Sequence, residues 1–304
     1  MMTVNVIIPT YKPDEKLDRC LRMLRMQTMQ PEKILLVNTE KELFSSQVFD
    51  TLPQGEILHI KKEEFDHGGT RNRAASMCSS DIILLLTQDA IPADEFLIER
   101  MVEAFQDEDV CAAYGRQMAD PRDNPLESYT RRFNYPPESL VKSKEDLPLL
   151  GIKTFFCSNV CAAYRKSVYD ELGGFPLHTI FNEDMIFASR LIEAGKKIAY
   201  VAEARVWHWH NYSPAQQLRR NFDLAVSQVD HGGLFLEVKS ESEGIRLVKK
   251  TLLHFLKKGE LGLIPSIIFQ NGAKYVGYKL GKNYRRLPRW LVRRISMNRT
   301  YWKS

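Results

Sequence analysis

Apolar residues in the first two thirds of the chain fall into short runs separated by segments of helical spacing. Val6, Ile7 and Ile8 centre a strand from Val4 to Pro9. Between Lys16 and Gln27, Leu17, Leu21 and Leu24 recur at helical spacing while Arg22 and Arg25 face away, which predicts an amphipathic helix. Lys33 to Val37 and Gly55 to Ile60 read as the next strands, and Thr70 to Cys78 as a helix. The run IILLL after Asp81 is apolar without interruption, which suits a strand buried on both faces. This alternation predicts βα units around a mostly parallel central sheet flanked by helices. Ligands of such sheets bind beyond the carboxyl ends of the strands, and here each strand ends in polar residues.

Further along, the pattern predicts a helix from Asp94 to Phe105, a strand from Val110 to Gly115 and irregular chain from Ala119 to Pro148. The run FFCSNVCAAYRKSVYDELGGF (155–175) predicts a strand and a short helix stopped at Gly173-Gly174. Glu183 to Gly195 reads as a helix and Ile198 to His208 as the last strand. From Gln216 the spacing is helical, through QQLRRNFDLAVSQ, IRLVKKTLLHFLKKG, a glycine-containing segment with Pro265, and YRRLPRWLVRRISMNRTYW. The expected division is therefore a catalytic or binding domain over 1–215 and a helical extension over 216–304.

Composition changes this picture mainly through charge. The 304 residues carry a net charge of +5, but from Arg246 onward there are 15 basic residues against one acidic residue, Glu260. The remainder holds 28 basic against 37 acidic residues, so an acidic body carries a basic, amphipathic extension. Such an extension reads as a contact with an anionic membrane surface or a second copy of the chain rather than with nucleic acid; a merely solvated bundle face is the plain alternative. The five cysteines form no C-x-x-C pair and read as buried thiols in a reducing compartment. The short apolar N-terminus lacks the basic flank of a signal peptide, and no run reaches a membrane span of about 18 residues. The expected location is the cytoplasm, peripheral at the inner face of the cell membrane.

Five segments carry the candidate chemistry: VIIPTYK (6–12), HGGTRN (67–72), LLLTQDAIP (84–92), GGFPLHTIFNEDMIFASRLIEAG (173–195) and ARVWHWHNYS (204–213). In this order and spacing they resemble the family 2 glycosyltransferases, which implies a GT-A fold, Rossmann-like in its central sheet. Within that family HGGTRN and TQDA look most like bacterial rhamnosyltransferases that extend surface polysaccharides.

The resemblance assigns Pro9, Thr10 and Tyr11 to the donor-nucleotide pocket, together with His67, Arg71, Asn72, Gln88 and Asp89. Asn38 stands where the family usually has a base-reading aspartate; its amide oxygen still accepts a hydrogen bond but brings no charge. Thr87 and Asp89 take the two ends of an Asp-x-Asp motif, leaving Asp89 as the carboxylate for Mg²⁺ or Mn²⁺ bound to the donor diphosphate; an ordinary helix cap is the alternative for Asp89. His208 aligns with the family's metal-binding histidine, and His210 faces the same way one strand period on; packing is the alternative for both. His67 serves either the donor or its own loop.

In inverting members the aspartate of the Glu183-Asp184 pair is the general base, which makes Asp184 the expected catalytic residue. Ser158, Asn159, Glu183 and Trp207 fall to the acceptor side, with Trp207, Trp209 and Tyr212 either a sugar platform or core packing. The implied reaction moves a sugar with inversion, L-rhamnose from dTDP-L-rhamnose, onto a glycan growing on a polyprenyl diphosphate. A UDP-hexose donor and a non-catalytic membrane-binding protein on the same fold are the competing readings. A nucleotidyltransferase would show a glycine-rich basic loop after the first strand, which PTYKPDEK lacks.

Overall fold

The computed structural model describes residues 2–120, 122–232 and 241–303, which cluster into two compact units. The first comprises 1–119, 134–177 and 183–209, and the second 120–133, 178–182 and 210–304.

The first unit is built on one sheet of nine strands: β1 (Val4–Tyr11), β2 (Lys33–Thr39), β3 (Gly55–Ile60), β4 (Ile82–Leu86), β5 (Ile91–Pro92), β6 (Val110–Met118), β7 (Leu140–Lys142), β8 (Cys161–Arg165) and β9 (Lys197–Trp207). Their order is β3-β2-β1-β4-β8-β6-β9-β5, with β7 also paired to β9. β1 to β4 are parallel, as are β6 and β9, whereas β8 runs antiparallel between β4 and β6. The sheet is thus mixed, and the reversal of β8 carries the start of that strand to the end where β4 and β6 finish. All five residues of β4 are buried, as its unbroken apolar run requires. Leu17, Cys20, Leu21 and Leu24 of helix α1 (Glu15–Arg25) pack into the same core. Helices α2 (His67–Ser76), α3 (Leu97–Glu103) and α5 (Glu183–Glu193) belong to the same unit, with shorter helical turns that include Lys166–Glu171.

The second unit contains α4 (Pro125–Asn134, whose last residue groups with the first unit), α6 (Pro214–Asp230), α7 (Glu241–Lys257), α8 (Ile264–Lys282) and α9 (Arg289–Ile295). Its core gathers Ile180, Phe222, Val226 and Val292, with Leu280, Tyr284 and Trp302 packed against them.

Three expectations need correction. The stretch from Ala119 to Pro148 is not irregular but holds α4 and β7; of the α4 residues only Ser128 is buried, so the helix adds little to a core. Helix α2 starts at His67 rather than Thr70, because the Asp66 carboxylate accepts from Gly69 N and caps it there. Helix α3 starts at Leu97 rather than Asp94, the chain first forming β5 and a turn. The segment with Pro265 is helical as its spacing predicts, one helix of 19 residues. Pro265 sits in its first turn, where no amide partner is needed, and Gly277 and Gly281 are contact points: a Cβ there would lie 2.1 Å from Leu218 O and 2.4 Å from Phe222 O of α6.

Candidate active site

β1 and β4 pair only as far as Ile7 and Leu85, after which the strands part. Pro9, which cannot donate to a ladder, falls beyond that point. Gln88 bridges the gap: its Oε1 accepts from Tyr11 N at 2.9 Å and its Nε2 donates to Tyr11 O at 3.2 Å. The Tyr11 ring is 41% exposed, with the ammonium groups of Lys12 and Lys62 at 5.5 and 5.7 Å from its centre. This end of β1 therefore presents an aromatic face flanked by two cations. Thr10 and Asn38 are buried beside it. Thr10 Oγ1 donates to Asn38 Oδ1 at 3.0 Å, while Asn38 Nδ2 meets Glu40 O at 3.0 Å and His59 Nδ1 at 3.1 Å.

Past β4, Asp89 sits in a turn closed by Ala90 N donating to Thr87 O, and the Thr87 hydroxyl is buried with no hydrogen-bond partner among the described residues. The imidazole of His208, at the end of β9, brings Nε2 to 3.6 Å from Asp89 Oδ1. Its other nitrogen, Nδ1, meets Gln117 Oε1 at 3.0 Å, and Gln117 Nε2 donates to Ser158 Oγ at 3.0 Å. With an acceptor against Nδ1, the proton resides there and Nε2 presents its lone pair toward Asp89. His210, the first residue of the second unit's 210–304 segment, is stacked on Tyr212 at 4.8 Å. Within the first unit, the Asp89 carboxylate and the His208 imidazole, held in its ligating tautomer, fit a divalent cation, and the mixed oxygen and nitrogen pair suits Mn²⁺ better than Mg²⁺.

HGGTRN and GGFP lock together. Asn72 Nδ2 donates to Phe175 O and Asn72 Oδ1 accepts from Phe175 N, each at 2.9 Å, and Tyr169 also donates to Asn72 Oδ1. A Cβ on Gly68 would lie 1.9 Å from Pro176 O, and Gly174 has φ +65° with Asn72 Oδ1 only 2.6 Å from its Cβ position. Glycine is required at both. Arg71 also points inward, 7% exposed. Its Nη1 donates to His67 O at 2.8 Å and lies 3.4 Å from Glu183 Oε1, an ion pair whose side chains are each 8% exposed. Burial lowers the pKa of His67, so its imidazole stays neutral, edge-on to Phe65.

Glu183 and Asp184 open α5 and behave differently. Burial opposes ionisation of Glu183, but Arg71, His67 and the Asn159 amide at 3.2 Å outweigh it and leave its pKa below the ordinary value. Asp184 is raised to about 7, first by burial and then by the charge of Glu183. Its two oxygens accept from Asn159 N at 3.1 Å and Met185 N at 2.8 Å, and it has no ion pair among the described residues. A carboxylate that gains its proton near neutrality, beside one that stays charged, is suited to removing a proton from a hydroxyl.

Of the residues assigned from sequence, Ser158 and Asn159 link the two clusters: Ser158 ends the Gln117–His208–Asp89 series and Asn159 holds both acidic residues. Trp207 packs partly on the core and meets Trp209 edge-on at 6.5 Å. Gln117, Lys12 and Lys62 were not anticipated; Gln117 follows Arg116 beyond the expected end of the strand at Gly115, and no sequence signal marks it. Lys142 was also missed. It is 2% exposed, donates to Lys153 O at 3.1 Å and Phe156 O at 2.5 Å, and is lowered by burial to about 7. It thereby straps the turn that delivers Ser158 and Asn159.

Residues 5–173 match the family described as "Glycosyl transferase family 2". Across its whole length the chain is 41% identical to the O-antigen chain rhamnosyltransferase RfbN of Salmonella typhimurium, of which 97% is covered. It is likewise 41% identical to the O-antigen chain rhamnosyltransferase WbaN of Salmonella anatum, again over 100% of this chain and 97% of the relative. Among solved structures, the fold is similar to a mannosyltransferase, PcManGT of Pyrobaculum calidifontis, in complex with GDP-Man and Mn²⁺ (TM-score 0.59, 14% identity, 92% of this chain and 87% of that one). It is also similar to S. aureus TarS with UDP-GlcNAc (TM-score 0.54, 14% identity, 94% and 92% covered).

Proposed function

The chain belongs to glycosyl transferase family 2, a glycosyltransferase of GT-A fold, and from that premise we propose that it transfers L-rhamnose from dTDP-L-rhamnose to a cell-surface glycan with inversion. The sugar is argued from the two rhamnosyltransferase relatives at 41% identity. The observation that carries the mechanism is the join at Ser158-Asn159, which ties a carboxylate raised to about 7 to the Asp89–His208 cluster at one end of the sheet.

In this reading Asp184 takes the proton of the acceptor hydroxyl as its oxygen bonds to the anomeric carbon, and the bond from that carbon to the diphosphate breaks on the opposite side. Asn159 and Met185 hold the carboxylate through their N–H groups, and Glu183, charged and paired to Arg71, keeps its proton affinity high. The nucleotide lies at the ends of β1 and β2, with Tyr11 beneath the base, Lys12 and Lys62 near its phosphates, and Pro9, Thr10, Asn38 and Gln88 shaping the floor. His67, Arg71 and Asn72 act on the donor through the loop they brace. Asp89, His208 and His210 would hold Mn²⁺ or Mg²⁺, and a bound divalent cation offsets charge on the leaving diphosphate. Ser158, Asn159, Glu183 and Trp207 border the acceptor. The acceptor is a glycan on a polyprenyl diphosphate at the inner face of the cell membrane, approached through the basic second unit; no described helix is long and apolar enough to cross a membrane.

A UDP-hexose donor is the second reading, because Asn38 does not separate the two bases: uracil and thymine present the same imide N–H, and the Asn38 amide is already engaged with Thr10, Glu40 and His59. The test is Asp184→Asn assayed for donor binding and for transfer, with dTDP-rhamnose and UDP-sugars in parallel. Binding of dTDP-rhamnose at near wild-type affinity with transfer reduced at least a thousandfold is expected. Full transfer by the variant sinks the assignment of the base, and turnover of UDP-sugars alone sinks that of the donor.

A further inference from the structure

Helix α8 is amphipathic in an unusual sense. Its inner face carries Ile267, Gly277 and Gly281, all buried, and the glycines bring its backbone against that of α6. The opposite face, one stripe at helical spacing, holds Ile268, Phe269, Gly272, Tyr275 and Val276. Of these, Ile268 is 57% exposed, Phe269 71%, Tyr275 59% and Val276 47%, and Leu261, just ahead of the helix, is 62% exposed. The stripe lies outside the buried residues of the helix, since Ile267, Gly277 and Gly281 on the other face are the ones buried. A monomer with only water around it gains nothing from such a continuous apolar row.

The charge around the stripe selects the occupant. From Arg246 onward the excess is 15 basic residues over one acidic residue. Lys279 ends the same face of α8, and exposed Lys257, Arg286, Arg289, Arg293 and Arg294 belong to the same unit. Trp290, 66% exposed, sits in α9 between arginines. A second copy of the chain would set this cationic surface against itself at a twofold contact, whereas an anionic lipid surface answers both properties at once. Aromatic, aliphatic and basic residues on one exposed helical face are what an interfacial helix requires.

We propose that the outer face of α8 lies in the interface of an anionic phospholipid bilayer, with Phe269 and Ile268 seated among the acyl chains and the surrounding Lys and Arg on the headgroups. This rests on the membrane-facing acceptor proposed above and gives that contact a specific surface.

The test is co-sedimentation of the full-length protein with vesicles of phosphatidylglycerol and phosphatidylethanolamine, and with neutral phosphatidylcholine vesicles. Wild type binds the anionic vesicles, more weakly as salt rises. The pair Ile268→Glu, Phe269→Asp lowers the partition coefficient at least tenfold while leaving the unfolding temperature and transfer to a water-soluble acceptor unchanged. Variant binding equal to wild type overturns this face as the contact while leaving the membrane reading intact. Absence of wild-type binding to anionic vesicles overturns both, with transfer to the soluble acceptor reporting separately on the enzyme. A concentration-dependent dimer in light scattering that the paired variant abolishes assigns the face to a second copy and overturns the proposal.

Discussion

Neutralising the base should stabilise the fold while it abolishes transfer. Burial and the neighbouring Glu183 charge raise Asp184 from 3.8 to about 7. A difference of that size corresponds to about 4 kcal/mol between the protonated and ionised forms in the folded chain. Because the folded value lies above the unfolded one, the favourable contribution is complete below about pH 4 and is lost as pH rises toward 7. Asp184→Asn removes this titration. An amide has one oxygen where the carboxylate has two, so it keeps only one of the bonds from Asn159 N and Met185 N, costing about 1–3 kcal/mol at any pH. The stability of Asp184→Asn relative to wild type should therefore climb by about 4 kcal/mol between about pH 4 and pH 8, with a net gain of about 1–3 kcal/mol at the upper end. Urea unfolding followed by tryptophan fluorescence at intervals of pH reads this directly. A difference that stays flat with pH, or that grows toward acid, refutes the raised carboxyl and with it the reason for choosing Asp184 as the base.

Breaking the buried pair with Arg71→Met should cost about 3–5 kcal/mol in chemical denaturation, since Glu183 is left charged without its guanidinium, and Arg71→Met with Glu183→Gln should recover most of that loss. A double variant no more stable than the single one contradicts the pairing. Gln117→Leu, which removes the acceptor from His208 Nδ1, should weaken Mn²⁺ binding at least tenfold in calorimetry while Gln117→Glu retains it; equal affinity in all three proteins rejects the positioning of His208 by Gln117. Gly68→Ala should yield little folded protein, because its methyl would lie 1.9 Å from Pro176 O, whereas Gly69→Ala, at 3.1 Å from Asp66 Oδ1, should fold with a modest loss visible by thermal unfolding.

The strands were legible because burial on both faces writes itself into local composition, as in β4. Helix α8 was harder to read since its glycines serve a contact with α6, and that need has no local signature. Helix α4 and β7 escaped for the opposite reason, having little buried apolar surface to pattern them. At the site, the order of the motifs singled out Asp89, His208, Glu183 and Asp184 as candidates, but which way a side chain turns depends on what lies across the sheet. Arg71 and Asn72 follow two glycines at a helix start and look ready for phosphate, yet each has an internal partner supplied more than a hundred residues later. Gln117 and Ser158 are 41 residues apart, and no spacing rule joins them.

The placement of one guanidinium explains how two adjacent carboxylates come to differ. The resemblance aligns Thr87 and Asn38 with positions that usually hold aspartates, and it leaves Asp89, Glu183 and Asp184 among the acidic candidates. Arg71 Nη1 lies 3.4 Å from Glu183, while the Asp184 oxygens accept from two backbone N–H groups and, among the described residues, make no ion pair. Had the guanidinium faced Asp184, attraction would have held that carboxylate ionised to low pH and made it a poor proton acceptor. Spent on Glu183, the same charge fixes a negative neighbour beside Asp184 and raises its proton affinity instead. In the proposed reaction the inward turn of Arg71 therefore contributes to the chemistry indirectly, by deciding which carboxylate is free to take a proton.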